Sequence, residues 1–202
     1  MKICGVTNVA DATAAVQYGA ELIGLNFYPL SPRYVDLPTA LEIRATIPAE
    51  IWCVGVFVNA LREQIASYAE RLALDALQFH GDEKAADLQG WSCATIKAVR
   101  IRPDEPLPDW SQLAADYLLL DTYSPGRYGG TGQTFSWDRS AAFPLQYVNR
   151  LILAGGLTPE NVAEAVRAVR PWAVDVASGV ECAPGHKDQE KIRAFITNAK
   201  TA

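Results

Sequence analysis

The chain has 202 residues, half of them apolar, and 18 Lys and Arg against 23 Asp and Glu give a formal net charge of −5. That suits one substantial hydrophobic core and offers no general attraction to nucleic acid or to an anionic membrane, so an anionic ligand must be held by local groups. Four scattered cysteines with no CxxC pair, and only two histidines, argue against a zinc site or a disulfide framework and leave reduced thiols as the default.

The opening MKICGVTNVADAT lacks the long apolar segment of a signal peptide, and no run approaches a membrane span, so a cytoplasmic location is expected. The first strand then comes at once, as KIC (2–4). Short β-branched or leucine-rich runs follow at intervals: LIGLNF (22–27), IWCVGVFV (51–58), ALQF (76–79), TIKAV (95–99), YLLLD (117–121), LILA (151–154) and AVDVA (173–177). Between them, amphipathic stretches predict helices over Asp11–Tyr18, Thr39–Ile47, Leu61–Leu72, Glu83–Leu88, Trp110–Ala114, Asp138–Ala142, Pro159–Val169 and Asp188–Ala199. In GGLTPENV, Thr158 is placed to cap a helix whose first turn holds Pro159.

Strand and helix alternating from end to end is the pattern of a parallel sheet with crossover helices. Eight units of about 25 residues predict a closed (β/α)8 TIM barrel, a single domain over 1–202, near the lower length limit of that fold. The rival, an open doubly wound sheet, lacks its GxGxxG fingerprint, since KICGVTN holds one glycine. A faint internal echo supports repetition: RLALDALQFHG (71–81) and QLAADYLLLDT (112–122) share LAxDxLxxx. The stretch TYSPGRYGGTGQTFSW (122–137) has no periodicity and reads as a functional loop after the sixth strand.

In such a barrel the chemistry belongs at the C-terminal ends of the strands. LAGGL puts Gly155 and Gly156 after strand seven, and ASGVE puts Ser178 and Gly179 after strand eight, the two exits where this fold cradles phosphate on backbone N–H groups. Cys4 ends the first strand and faces the same mouth. A free thiol titrates near pH 8.5, so a base there needs help, and Lys2, two residues back on the same face, is the candidate. Asp121 ends an otherwise apolar strand and reads either as a general acid or as a cap on DTYSPG. Arg33 in LSPRYV suits a substrate carboxylate; His80 in QFHG reads as a substrate contact or a turn cap; Asp175 in VDVAS reads as a sugar-hydroxyl acceptor or half of a buried pair. Cys53 and Cys93 read as inert.

KICG, GLNFYPLSPRYV, VGVFVN, LDALQFHG, LLLDT, GGTGQTFSW, LILAGGLTPENV and VDVASGVECAPGHKD, in this order, resemble the phosphoribosylanthranilate isomerase family over essentially the whole chain. The resemblance implies an Amadori rearrangement of N-(5-phosphoribosyl)anthranilate without a cofactor, with Cys4 as general base and Asp121 as general acid. It further implies Arg33 on the anthranilate carboxylate, Asp175 near the ribose hydroxyls, and Gly155, Gly156, Ser178 and Gly179 on the phosphate. Ala177 stands where many relatives carry serine, and Phe79 where leucine is common. The expected partner is a small phosphosugar-anthranilate, with no metal, nucleic acid or membrane, for a stand-alone monomer or homodimer. Two rivals remain: a histidine-pathway isomerase, which would pair two aspartates, and a catalytically dead phosphosugar-binding barrel.

Overall fold

The chain is tied down from its first residue. The Met1 carbonyl accepts N–H bonds from Glu21 and Leu22 at 3.0 and 3.1 Å, and its amino group pairs with Glu21 at 2.5 Å. The structure is a computed structural model, and it describes residues 1–101, 114–122, 147 and 149–202.

Eight parallel strands close into a barrel in chain order. They are β1 (Lys2–Cys4), β2 (Leu22–Asn26), β3 (Trp52–Phe57), β4 (Ala76–Phe79), β5 (Ala94–Ile101), β6 (Tyr117–Thr122), β7 (Leu151–Leu153) and β8 (Ala173–Val176). Closure is made by β8 returning to β1, with Lys2 opposite Asp175 and Ile3 opposite Val176. Outside lie α1 (Val9–Tyr18), α2 (Leu37–Arg44), α3 (Arg62–Leu72), α4 (Val162–Val169) and α5 (Gln189–Lys200). Their starts are written locally: Asn8, Asp36 and Asp188 each accept an N–H three residues on, from Asp11, Thr39 and Lys191.

The period-2 alternation of each strand divides the core in two. Ile3, Ile23, Leu25, Cys53, Leu77, Phe79, Leu118 and Leu153 pack outward under the helices, whereas Leu22, Val54, Ala76, Ile96, Leu119 and Ile152 fill the barrel itself. Trp52, Tyr117 and Trp172 stack at the strand starts, ring centroids 4.5 to 5.9 Å apart, and close the N-terminal end. The C-terminal ends of the strands form the other mouth.

The internal echo has a structural meaning. Asp75, just before β4, accepts the N–H of Cys53 at 2.8 Å, and Asp116, just before β6, accepts that of Thr95 at 2.8 Å. Each aspartate thus holds the second residue of the preceding strand, and pins the register of that pair.

Three expectations are corrected. Over Glu83–Leu88 only a 3-10 turn forms, Ala85–Leu88, because the Glu83 carboxylate turns back to accept from Asn59 N and Gly81 N and to pair with Lys97 at 2.6 Å. The regular helix expected from Pro159 begins at Val162 instead, although Thr158 does act as expected at its start, accepting the Glu160 N–H on Oγ1 at 3.3 Å and the Val162 N–H on its carbonyl, while the Asn161 side chain bridges the Thr158 N–H and the Gly156 carbonyl. After β8 the chain makes a 3-10 turn, Ser178–Val180, and then a hairpin that the strand pattern did not predict, β9 (Glu181–Ala183) with β10 (His186–Lys187). The Pro184-Gly185 pair between them was its available signal, with Gly185 at φ 81°. The helices expected at Trp110–Ala114 and Asp138–Ala142, and the loop 122–137, lie outside the described residues apart from Ala114 and Thr122 at their edges.

Candidate active site

The residues read as catalytic, substrate-binding or phosphate-binding line one cavity at the C-terminal mouth of the barrel: Cys4, Arg33, His80, Asp121, Gly155, Gly156, Asp175, Ser178 and Gly179. The space holds about 700 Å³, part of it open to solvent. Cys4 comes from β1 and Asp121 from β6, three strands away around the closed sheet by way of β7 and β8. The two therefore face a common cavity from different walls.

Cys4 is 8 % exposed, and its surroundings are cut to fit it. A Cβ on Gly24 of β2 would lie 2.9 Å from the Cys4 sulfur, and one on Gly5 would lie 2.5 Å from Arg33 Cδ. Glycine at both positions leaves room for the thiol and for the arginine stem. Burial pushes the Cys4 thiol up from its ordinary value, and Lys2 opposes that shift by its charge and a hydrogen bond. Lys2 is fully buried, and its ammonium donates to Asp175 Oδ1 at 2.9 Å. Its charge is thus divided between the thiol and a carboxylate, so both readings of Asp175 meet here: one oxygen is in a buried pair, and the side chain still lines the cavity.

The turn DTYSPG, which Asp121 was read as capping, lies outside the described residues from Tyr123 on; Asp121 Oδ2 lies 3.2 Å from His80 Nε2, and His80 Nδ1 lies 2.8 Å from Gln78 Nε2. His80 therefore has both ring nitrogens engaged by the protein. Gln78, on β4, escaped the sequence reading, although its spacing of two from His80, just past the end of that strand, put it on the same wall.

Arg33 reaches the mouth from the loop after β2. Asn26 holds that loop, accepting the Tyr28 N–H at 2.9 Å and donating to Ser31 Oγ, which in turn accepts the Arg33 N–H. The guanidinium is not free: Nε and Nη2 donate to Glu181 Oε1 and Oε2, both at 2.7 Å. Lys187 Nζ, itself buried, donates to Glu181 Oε1 and to the Ala177 carbonyl, each at 3.0 Å. Burial alone would raise the Glu181 carboxyl, but the Arg33 hydrogen bonds and the Lys187 charge outweigh it and hold it below the usual range. Burial lowers Lys187, and Glu181 only partly restores it. Glu181 was also missed, for no local pattern marks an acid as the anchor of an arginine 148 residues away.

Gly155 and Gly156 adopt φ of 84° and 65°, a region closed to most side chains, which exposes their backbone to the cavity. A Cβ on Gly179 would fall inside the Leu157 carbonyl oxygen, so the loops after β7 and β8 touch through that glycine. Among the described residues no group of three or more His, Cys, Asp or Glu could hold a metal ion, and no helix is long and apolar enough to cross a membrane. Cys53 is fully buried in the outer layer, its thiol pushed by burial to about 12.

The family model for N-(5'-phosphoribosyl)anthranilate isomerase matches residues 1–198. The chain is 48% identical over 197 residues to the N-(5'-phosphoribosyl)anthranilate isomerase of Pseudomonas fluorescens, covering 96% of this chain and 95% of that one. The crystal structure of the phosphoribosyl anthranilate isomerase of Thermotoga maritima superposes with a TM-score of 0.88 at 40% identity, over 100% of this chain and 98% of that one. A structure of a phosphoribosyl anthranilate isomerase in complex with reduced 1-(o-carboxyphenylamino)-1-deoxyribulose 5-phosphate gives a TM-score of 0.83 at 36% identity, with the same coverage.

Proposed function

The chain belongs to the N-(5'-phosphoribosyl)anthranilate isomerase family of tryptophan biosynthesis, and from that premise we propose that Cys4 and Asp121 are the base and acid of its rearrangement. The observation that carries the reading is the shared cavity: a thiol and a carboxyl on different walls, with two glycine-bearing loops at the exits of β7 and β8.

Asp121 protonates the furanose ring oxygen, the C1–O bond breaks, and the substrate nitrogen takes up the positive charge as an iminium. The Cys4 thiolate then removes the proton from C2. The electron pair of that C–H bond flows towards nitrogen, giving an enolamine, which tautomerises to the 2-ketone as C1 gains a proton. C1 is reduced as C2 is oxidised, so the step balances within the substrate. Because burial holds the Cys4 thiol high, the resting form near neutrality is the thiol; the thiolate, once made, is the stronger base. Lys2 is the group that makes it accessible.

The phosphate lies against Gly155, Gly156, Ser178 and Gly179, where backbone N–H groups supply what an acidic protein lacks. Arg33 faces the anthranilate carboxylate with the N–H groups that Glu181 leaves over. Asp175 accepts from a ribose hydroxyl with the oxygen Lys2 does not use, and His80 serves the substrate indirectly, through Asp121.

The test is loss of the substrate's anthranilate fluorescence with purified protein and no additive. Cys4→Ser and Asp121→Asn should each lower kcat by about 10²- to 10⁴-fold while a reduced product analogue still binds. Binding without turnover in the unmodified protein would favour the dead phosphosugar-binding barrel instead.

A further inference from the structure

Gln78, His80 and Asp121 form one buried chain, and its chemistry has a direction. Gln78 is on β4 and His80 follows its last residue, Phe79, still bonded to β3 through its N–H to the Phe57 carbonyl at 2.8 Å, so the two side chains, two residues apart, both enter the barrel. Gln78 Nε2 lies 2.8 Å from His80 Nδ1, and His80 Nε2 lies 3.2 Å from Asp121 Oδ2. An amide nitrogen donates and has no lone pair to offer, so Nδ1 is the acceptor. The single hydrogen of a neutral imidazole then sits on Nε2 and points at Asp121.

We propose that Gln78 is a positioning residue that fixes His80 as its Nε2–H tautomer, and thereby keeps the acid proton of Asp121 on the oxygen that His80 does not touch. The inference rests on the acid role of Asp121 proposed above. With Nε2–H donating to Oδ2, that oxygen is an acceptor in both protonation states of the carboxyl. The proton to be transferred is confined to Oδ1, and when it leaves, the new carboxylate already holds a donor. In the other tautomer the Nε2 lone pair would draw the Asp121 proton into the barrel wall, and none would be left for the ring oxygen.

The amide at this position has a cost. Gln78 Oε1 is the one buried side-chain oxygen or nitrogen among the described residues without a hydrogen-bond partner, on a residue only 1 % exposed. An orphaned buried carbonyl costs stability. An apolar side chain of the same size would avoid that cost but could not donate to Nδ1.

The chain has only two histidines, and His186 is exposed, so [15N]histidine labelling gives two ring systems with a built-in reference. In long-range 1H–15N spectra of the resting protein, His80 is expected to carry its hydrogen on Nε2 with Nδ1 bare. Gln78→Leu should give a mixed tautomer, with kcat down about tenfold and KM within about twofold. Gln78→Glu, whose carboxylate accepts rather than donates, should move the hydrogen onto Nδ1 and also depress kcat. An Nδ1–H tautomer in the unmodified protein overturns the proposal, as does a Gln78→Leu protein that keeps both the Nε2–H tautomer and full kcat. If Gln78→Leu does not fold, the unmodified spectrum and Gln78→Glu decide. The tautomer is read without substrate, so failure here is distinct from failure to turn over phosphoribosylanthranilate.

Discussion

Arg33 and Glu181 are joined by two parallel hydrogen bonds of 2.7 Å, side by side at the rim of the cavity. A planar fork gripped this way presents its remaining N–H groups in one orientation, which is what recognition of a planar carboxylate requires. Glu181→Gln breaks the pairing and leaves Lys187 buried without its counter-charge. KM for phosphoribosylanthranilate should rise about tenfold with a smaller effect on kcat. Stability should fall by about 3 kcal/mol in urea unfolding, as expected when one partner of a buried pair is removed. An unchanged KM would separate Glu181 from substrate binding.

The pH dependence of kcat/KM should report Cys4. Burial raises its thiol and Lys2 lowers it, with a net upward shift, so the activating limb should lie above the ordinary thiol range and be missing in Cys4→Ser. Lys2→Met removes the opposing charge, so the limb should move to still higher pH. A Lys2→Met profile displaced to lower pH would contradict this account of the thiol.

Cys53 provides a stability test remote from the site. Its folded value of about 12 lies above the ordinary thiol value of 9.0, so the unfolded chain ionises first as pH rises. The contribution is complete below pH 9 and is lost between about 9 and 12, at about 1.4 kcal/mol per pH unit. Cys53→Ala should flatten the fall of unfolding free energy above pH 9 by about one proton's worth. Cys4 and Cys93, raised in the same direction, leave part of the slope in place.

Gly179→Ala tests the contact between the last two loops. The methyl group cannot coexist with the Leu157 carbonyl, so backbone must move, at a cost of about 1–3 kcal/mol. Inhibition by inorganic phosphate should weaken along with substrate binding. A variant with full phosphate affinity would place the anion elsewhere.

The barrel was legible because each strand is a short apolar run and α1, α2 and α5 carry their own caps; Asn8, Asp36 and Asp188 act within three residues of themselves. The elements that departed from expectation were those where a side chain acts at longer range. Glu83 abandons a helical turn for Lys97, 14 residues on, and Glu181, in the hairpin that the strand pattern did not predict, is gripped by Arg33, 148 residues before it. Propensity describes neighbours along the chain, and these contacts are between neighbours in space.

The sequence alone determined which residues stand at the strand exits, because the period of a strand and the order of the units are written locally. Cys4, Asp121 and the glycine pairs therefore reached the same mouth. Only the closed barrel decided which of them touch. Lys2 meets Asp175 because β8 returns to β1, Arg33 meets Glu181 because a hairpin folds over the rim, and His80 meets Asp121 across β5. Such pairings are set by closure of the sheet, and closure is a property of all eight strands together.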